Sequence, residues 1–136
     1  MSEYQFRLKP MLTPVEVVRL RTAVGWDAAT ELYEQTLGKT YLWIGCFRDD
    51  ELVGYVDVVS DGVADAYIRD LVVHPQHQRQ GIGTQLVSLT IDQLRQTRVR
   101  MVSFVFDPKL TPFYRNLGFH IVAGGLIDFG SVKNEK

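Results

Sequence analysis

The sequence predicts an α/β (α+β) domain in which a mixed central sheet of about six to seven strands is flanked by about four helices. The first observation behind this prediction is the element order read from hydrophobic periodicity, β-α-α-β-β-β-α-β-α-β-β. The second is size and composition, because 136 residues with 46% hydrophobic content suffice for one core and leave no room for a second. The sequence therefore predicts a single domain over residues 1–136.

The N-terminal part predicts a strand followed by a helix. Residues 4–8, YQFRL, alternate apolar and polar side chains as a half-buried strand does. Thr13 is a candidate N-cap, Pro14 suits the first helical position, and Glu16 completes a capping box. Apolar residues then recur at helical spacing until Gly25, where we expect the helix to end.

A second helix and a β-hairpin are predicted next. Asp27 is a candidate cap for a helix over residues 28–37, which Gly38 would end. Residues 41–47 and 52–59 are rich in β-branched and aromatic side chains and are separated by polar RDDE, so they predict a hairpin.

The C-terminal half alternates strands and helices. Its predicted elements are a strand at 66–73, a helix at 82–96, a strand at 102–106, a short helix at 111–118 and two strands at 119–124 and 126–130. In the longer helix Val87, Ile91 and Leu94 share the face that we expect to cover the sheet.

Charge and cysteine content restrict the class of partner. The formal net charge is −1, and no Lys/Arg run is long enough for a nucleic-acid or membrane patch. Cys46 is the only cysteine and cannot form an internal disulfide. The start MSEYQFRLKP lacks the apolar core of a signal peptide, and no stretch reaches the roughly 20 apolar residues of a membrane span. We therefore expect a cytoplasmic protein that binds neither nucleic acid nor membrane.

The stretch QRQGIG, Gln78 to Gly83, stands where a strand passes to a helix. Gly83 begins the apolar stripe of that helix, so its missing side chain favours close packing on the sheet. A glycine-bearing helix start also presents unpaired backbone N–H groups and the positive end of the helix dipole, which together bind phosphate. The glycine pair alone does not decide between close packing and phosphate binding, and the two are compatible.

Two motifs in order give a more specific interpretation. Gln78 to Gly83 resembles the Q/R-x-x-G-x-G/A signature of the GNAT superfamily of acyl-CoA-dependent N-acetyltransferases, and LVVHP resembles the strand that precedes it. Phe113 to Phe119, FYRNLGF, resembles the L/F-Y-x-x-x-G-F segment of the same superfamily. The resemblance is close over residues 40–123.

The resemblance implies acetyl-CoA as co-substrate, no metal, and a sheet splayed at the cofactor site. It implies that the pyrophosphate lies on the amides of Arg79 to Thr84 and that the pantetheine arm pairs with Leu71 to Val73 by β-augmentation. The cofactor-binding residues that it implies are Leu71, Val72, Val73, Gln78, Arg79, Gln80, Gly81, Ile82, Gly83, Thr84, Asp107 and Tyr114. Asp107 departs from the asparagine common at its position, and it is alternatively a cap of the turn at Pro108.

Acyl transfer from a thioester to an amine needs a base, an oxyanion donor and an acid. The resemblance assigns Tyr114 as the acid that protonates the departing thiolate, with a plain core position as the alternative. A backbone N–H of the Leu71–Val73 strand suits the oxyanion.

Asp70 is the predicted base, because a carboxylate in an otherwise apolar strand must be partnered or used. The alternative for Asp70 is a salt bridge to Arg69 or another arginine. Strand alternation puts Tyr67 on the opposite face, but a bulge breaks such parity, so Tyr67 stays a rival base.

The acceptor is predicted to be a primary amine of a small molecule, which attacks acetyl-CoA directly in a ternary complex. The alternatives are acetylation of a protein N-terminus or lysine, and a non-catalytic module that binds or senses acyl-CoA. The edge strands predicted near the C-terminus allow a homodimer.

Overall fold

The structure is a computed structural model that describes residues 3–130. The chain divides into two compact units, Met1–Phe104 and Val105–Lys136. The prediction of a single domain over 1–136 stays a prediction.

The first unit is a five-stranded sheet with three helices. The strand order is β1-β2-β3-β4-β5, and every neighbouring pair is antiparallel except β4 with β5. Its elements are β1 (Tyr4–Leu8), α1 (Pro14–Ala23), α2 (Thr30–Thr36), β2 (Leu42–Arg48), β3 (Glu51–Ser60), β4 (Asp65–Val73), α3 (Ile82–Arg95) and β5 (Met101–Phe104). The mixed α/β class and the order of these elements are confirmed.

Helix α1 begins as the sequence predicts. The Glu16 N–H donates to the Thr13 side chain at 3.4 Å, and the Thr13 N–H donates to the Glu16 carboxylate at 2.8 Å, which is a complete capping box. Gly25 follows the helix with φ +88°, a left-handed conformation that glycine adopts without steric cost.

The predicted cap of α2 is wrong. The helix spans Thr30–Thr36, and its N-cap is Ala29 at φ +55°, with no side-chain hydrogen bond. Asp27 lies before the cap and accepts from the guanidinium of Arg21 at 3.1 Å. The N-cap position falls on Ala29, two residues after Asp27, and the Asp27 carboxylate bonds the guanidinium of Arg21 instead of the first-turn amides of α2.

The β2–β3 hairpin turns through two residues, Asp49 and Asp50, at φ +51° and +66°. Two left-handed residues in a two-residue loop form the turn whose twist matches that of the flanking strands. The hairpin prediction is confirmed.

Helix α3 packs on the sheet at Gly54 of β3. A Cβ on Gly54 would lie 3.1 Å from both Ile82 and Leu86 and 3.3 Å from Cys46, so a larger residue would require these side chains to shift. Cys46, opposite Gly54 on β2, is fully buried, and burial raises the pKa of its thiol to about 11. The close contact between helix and sheet is therefore allowed by a glycine on the strand.

The buried face of α3 is broader than the sequence predicts. Its buried residues are Ile82, Leu86, Val87, Thr90 and Leu94, whereas Ile91 is half-buried. Thr90 satisfies its hydroxyl by donating to the Leu86 carbonyl at 2.8 Å, which allows a polar residue in this face.

The opposite face of the sheet carries a core formed with α1 and α2. Its buried members are Val17, Leu20, Tyr33, Phe47, Leu52, Tyr55 and Val72. Tyr33 and Tyr55 meet edge to face at 6.4 Å between ring centroids. The core thus ties the two helices to β3 and to the end of β4.

Strands β3 and β4 contain a bulge. Tyr55 pairs with Val72 and Asp57 with Arg69, so β4 has two residues where β3 has one. The first of the two, Asp70, has φ +58°. Strict alternation is broken here, since Arg69 bonds Asp57 while Val72 packs with Tyr55 in one core.

The second unit contains α4 (Thr111–Asn116), preceded by a 3₁₀ turn at Pro108–Leu110. The two strands predicted at 119–124 and 126–130 are wrong, because no strand occurs between residues 105 and 130. Within this unit the segment has no neighbouring strand, and a strand without a ladder partner leaves its amides unpaired. The sheet therefore has five strands instead of six to seven.

Candidate active site

The turn before α3 contains two residues in the left-handed conformation, Arg79 at φ +64° and Gly81 at φ +81°. The helix begins with a hydrogen bond from the Gln85 N–H to the Gly81 carbonyl at 3.0 Å. Backbone amides of the first helical turn have no acceptor within the helix, and they point outward from its start. This geometry is that of an anion-binding helix start.

The backbone conformation of Gly81 explains why a glycine suits this position of the turn. A Cβ on Gly81 meets nothing within 4 Å, so its positive φ and not a close neighbour favours glycine. Ile82 between the glycines is 2% exposed and anchors the turn in the core. The side chain of Gln78 donates to the Val73 carbonyl at 3.0 Å and ties the turn to the end of β4.

Strand β4 extends beyond its partner β5. The parallel ladder runs from Asp65 with Met101 to Ile68 with Phe104, whereas β4 continues to Val73. Residues 69–73 therefore extend past β5 on one side, while Arg69, Val72 and Val73 pair with β3 on the other. An edge of this kind accepts an extended, amide-bearing arm by β-augmentation.

Asp70 is held by residues from both N-terminal helices. The Tyr33 hydroxyl donates to Asp70 Oδ2 at 2.5 Å, and Arg21 lies 3.6 Å from Asp70 Oδ1. The ion-pair partner is thus Arg21, and Arg69 pairs elsewhere. The Asp70 side chain is 26% exposed, so the carboxylate is reachable by solvent.

Arg21 connects this carboxylate to the α1–α2 connection. Its guanidinium donates to the Asp27 carbonyl at 2.8 Å, to the Asp27 carboxylate at 3.1 Å and to the Tyr33 hydroxyl at 3.2 Å. It also lies 5.2 Å from the centroid of the Trp26 ring. Burial, followed by the charge of Asp70, raises the pKa of Tyr33, so its phenol stays a hydrogen-bond donor.

A second set of polar side chains lies on the other side of the bulge. Arg69 donates to both Asp57 oxygens, at 2.9 and 3.3 Å, and the Tyr55 hydroxyl donates to Asp57 at 2.9 Å. Asp57 is 1% exposed, and burial raises its pKa although the arginine opposes the shift. The sheet thus carries two Tyr–Asp–Arg sets, one partly open and one closed.

Tyr114, in the second unit, is enclosed by aromatic rings of that unit. Phe106 stacks on it at 4.1 Å between centroids, and Phe113 and Phe119 meet it edge to face. The residue is 3% exposed, and burial raises the pKa of its phenol to about 12. Such a phenol carries its proton at neutral pH.

Asp107 caps the turn that precedes α4. Its carboxylate accepts from the Lys109 N–H at 2.9 Å. The capping alternative therefore describes Asp107 in the structure, and its contact to a pantetheine arm stays a prediction.

Residues 3–130 contain neither a metal-ligand group nor a membrane-spanning helix. No three of their His, Cys, Asp or Glu side chains are grouped as they are around a metal ion. No helix in the same range is long and apolar enough to cross a bilayer.

Comparison with known proteins settles the family. The sequence model of the Acetyltransferase (GNAT) family matches residues 14–119, which is more than three quarters of the chain. The chain belongs to this GNAT family. The resemblance drawn from the two sequence motifs is thereby confirmed.

Curated relatives of this GNAT protein carry acetyltransferase names. An uncharacterized N-acetyltransferase, ycf52, of Gracilaria tenuistipitata var. liui is 31% identical over 106 residues, which cover 78% of this chain and 52% of that relative. The GCN5-related N-acetyltransferase 2, chloroplastic, of Arabidopsis thaliana is 33% identical over 79 residues, covering 58% and 31%. The chain spans about half the length of the curated relatives it matches.

Solved structures of GNAT proteins share the fold. An acetyltransferase of the GNAT family from Streptococcus pneumoniae TIGR4 has a TM-score of 0.76 at 28% identity and covers 93% of this chain and 97% of its own. The GNAT family N-acetyltransferase YhbS of Escherichia coli, solved in complex with CoA, has a TM-score of 0.72 at 23% identity and covers 87% and 69%. The latter likeness establishes the fold.

Some members of the site were not predicted from the sequence of this GNAT protein. The missed residues are Arg21 and Tyr33 as partners of Asp70, and Asp57 and Arg69 as a closed pair beside it. Tyr33 and Asp70 are 37 residues apart, and no local pattern signals such a contact. An isolated acid in an apolar strand is the one available signal, and Asp57 in LVGYVDVV shares it with Asp70.

Proposed function

We propose that this protein transfers an acetyl group from acetyl-CoA to a primary amine of a small molecule, by direct attack of the amine in a ternary complex. The observation that carries the proposal is the continuity of two features: the extended edge of β4 leads, through residues 74–77, directly into the anion-binding turn. A ligand with an amide-bearing arm and a diphosphate matches this order. Membership of the GNAT family and the CoA bound to the E. coli neighbour support the same ligand.

In this proposal the amides of Arg79 to Thr84 bind the pyrophosphate, and the exposed Arg79 guanidinium adds positive charge. The backbone of Leu71 to Val73 pairs with the pantetheine arm, and one of its N–H groups receives the oxyanion. Acetyl-CoA supplies a thioester carbonyl that an uncharged amine attacks. The chain has to orient that carbonyl, remove a proton from the ammonium and deliver one to the thiolate.

Asp70 is proposed as the base. Its Oδ2 accepts the Tyr33 hydroxyl, whereas the Arg21 contact to Oδ1, at 3.6 Å, is longer than a hydrogen bond. Oδ1 therefore has capacity to take a proton from the ammonium, directly or through water. Arg21 and Tyr33 orient the carboxylate in this role.

Tyr114 is proposed as the acid. Its burial among aromatic rings favours the neutral phenol, which is the form that donates a proton. Tyr67 stays the rival for the base, and its side chain is 36% exposed on β4.

The proposed acceptor site is next to the Arg21–Asp27 contact. A shallow, open surface depression of about 500 Å³ is lined by Asp27, Ala29, Thr30, Glu31, Leu32 and Gln35. Its two carboxylates suit an acceptor that arrives as an ammonium ion. Arg21 contacts both Asp27, at this depression, and Asp70, the proposed base.

A panel of small amines, peptides with free N-termini and lysine peptides, incubated with acetyl-CoA and analysed by mass spectrometry, tests the proposal. Acetylation of one or more small amines, lost in the Gly81→Glu variant, supports it. Acetylation of peptides alone would assign a protein acceptor. Binding of acetyl-CoA without transfer to any amine would identify a binding or sensing module and overturn the proposed activity.

A location in the cytoplasm and a homodimer also stay predictions. The chloroplastic names of Arabidopsis relatives belong to those proteins.

A further inference from the structure

Asp57 is the one charged residue that is buried in the part of the chain that the structure describes. Its side chain is 2% exposed, compared with 26% for its partner Arg69. Taking a carboxylate out of water is costly unless charges and hydrogen bonds compensate for it. A residue retained at such a cost must either stabilise the fold or serve the site.

The position of Asp57 links it to the bulge of β4. The register shift falls between Tyr55 and Asp57 on β3, and these two side chains bond each other at 2.9 Å. Asp57 accepts two hydrogen bonds from Arg69 across the strands, and Arg69 directly precedes the bulge residue Asp70. The Asp57 carboxylate therefore connects β3 and β4 directly beside the register shift. Asp70, the next residue on β4, is the one that departs from regular strand geometry.

Stability alone is a poor reason for this arrangement. A buried ion pair is often no more stabilising than apolar residues of similar volume, because desolvation offsets the attraction. A left-handed backbone at a non-glycine residue, as at Asp70, persists only when its surroundings fix it. The bidentate geometry of an arginine on a carboxylate supplies that kind of fixed orientation.

From this geometry we infer that Asp57, acting through Arg69, is a positioning residue that fixes the bulge and thereby aims Asp70 and the amides of Leu71 to Val73. The inference rests on the proposed function for the meaning of that aim.

The decisive variant separates stability from positioning. Asp57→Asn leaves Arg69 without its counter-ion, so we expect a large fall in melting temperature. In Asp57→Asn/Arg69→Met the uncompensated cation is gone, and the amide introduced at position 57 still accepts the Tyr55 hydroxyl, so the melting temperature should return towards that of the wild type. Val58→Ala, a buried change on β3 next to Asp57, is the matched control for simple destabilisation.

Three measurements on the double variant test the inference. We expect faster hydrogen exchange in peptides covering residues 67–73, and an acetyl-CoA Kd and a kcat each about ten- to a hundredfold worse than wild type. Val58→Ala should leave all three close to wild type. A double variant with wild-type exchange at 67–73 and wild-type kcat would overturn the inference.

Failure of the proposed function is recognised separately. If the wild type transfers no acetyl group, or if Asp70→Asn turns over at the wild-type rate, the proposed chemistry is wrong. Hydrogen exchange and acetyl-CoA affinity, measured without an acceptor, still decide whether Asp57 fixes the bulge.

Discussion

The two parts of the candidate site in the first unit are built in opposite ways. The turn from Gln78 to Thr84 is one contiguous stretch, and its chemistry comes from backbone amides whose direction is set by local φ angles. The Asp70 cluster draws side chains from α1, α2 and β4. The function of the turn therefore depends on its backbone conformation more than on the identity of its side chains. The function of the Asp70 cluster depends on the identity of its side chains.

This difference explains why the turn can be predicted from the sequence and most of the Asp70 cluster cannot. A glycine spacing at a strand–helix junction is a local pattern, whereas the contact between Tyr33 and Asp70 exists only after the sheet and both helices have packed. Variants in each part should accordingly fail in different measurements.

The largest effect is expected in the turn. Gly81→Glu puts a side chain on a residue at φ +81° and a negative charge beside the amides, so acetyl-CoA binding should be lost by calorimetry. Gly38→Glu is the matched control, because Gly38 has φ +79° and open space at its Cβ as Gly81 has. Equal binding by a folded Gly81→Glu variant would remove the turn from the cofactor site.

Asp70→Asn, in the cluster, should lower kcat by about a hundred- to a thousandfold while acetyl-CoA binding is kept. An amide has nearly the shape of the carboxylate but cannot take a proton from the ammonium, so the chemical step and not cofactor binding should be affected. Asp92→Asn, on the surface of α3, is the control for removal of a carboxylate.

The ion-pair alternative for Asp70 predicts a different result. Loss of the counter-ion of Arg21 would then cost about 2 kcal/mol of unfolding free energy, measured in urea, and leave kcat close to that of the wild type. Such an outcome would direct attention to Tyr67 or to a water chain as the base.

Tyr114→Phe tests a residue that combines features of both parts. Tyr114 belongs to a contiguous motif, as the turn does, but its proposed role uses a side chain, as in the Asp70 cluster. We expect kcat to fall by about ten- to a thousandfold with little change in acetyl-CoA affinity. The raised pKa of about 12 also predicts that the wild type keeps its acid protonated beyond the ordinary tyrosine range.

The controls for Tyr114 are a second tyrosine and the pH–rate profile. Tyr67→Phe should retain turnover unless Tyr67 is the base. A basic limb at about pH 10, the ordinary pKa of tyrosine, that disappears in Tyr114→Phe would contradict the expected shift. Unchanged kcat would return Tyr114 to a packing role.

The smallest effect is expected for Tyr33→Phe. The ring keeps its contact with Tyr55, but Asp70 loses one donor, so kcat should fall several-fold and unfolding free energy by about 1 kcal/mol. A loss as large as that of Asp70→Asn would show that Tyr33 takes part directly and does not merely orient the carboxylate.

Much of the fold was predictable because its signals are local. The capping box at Thr13 and the hairpin through Asp49 and Asp50 depend on a few neighbouring residues. The wrong predictions concern segments for which a local rule does not say which partner wins: Asp27 bonds Arg21, six residues earlier, instead of capping a helix, and residues 119–130 form no strand without a ladder partner. Of the Asp70 cluster, the sequence predicted only Asp70 itself. Arg21 and Tyr33 stand in no sequence pattern that indicates a contact with it.

The buried position of Cys46 decides how turnover can be followed. At a pKa of about 11 the folded protein has about one thiolate in a thousand at pH 8, on a side chain that solvent does not reach. A chromogenic reagent that detects free sulfhydryls would therefore register released coenzyme and ignore the intact enzyme. Because the Cys46 thiol does not react, a cysteine introduced on the surface would be the single position labelled by a fluorophore or spin probe.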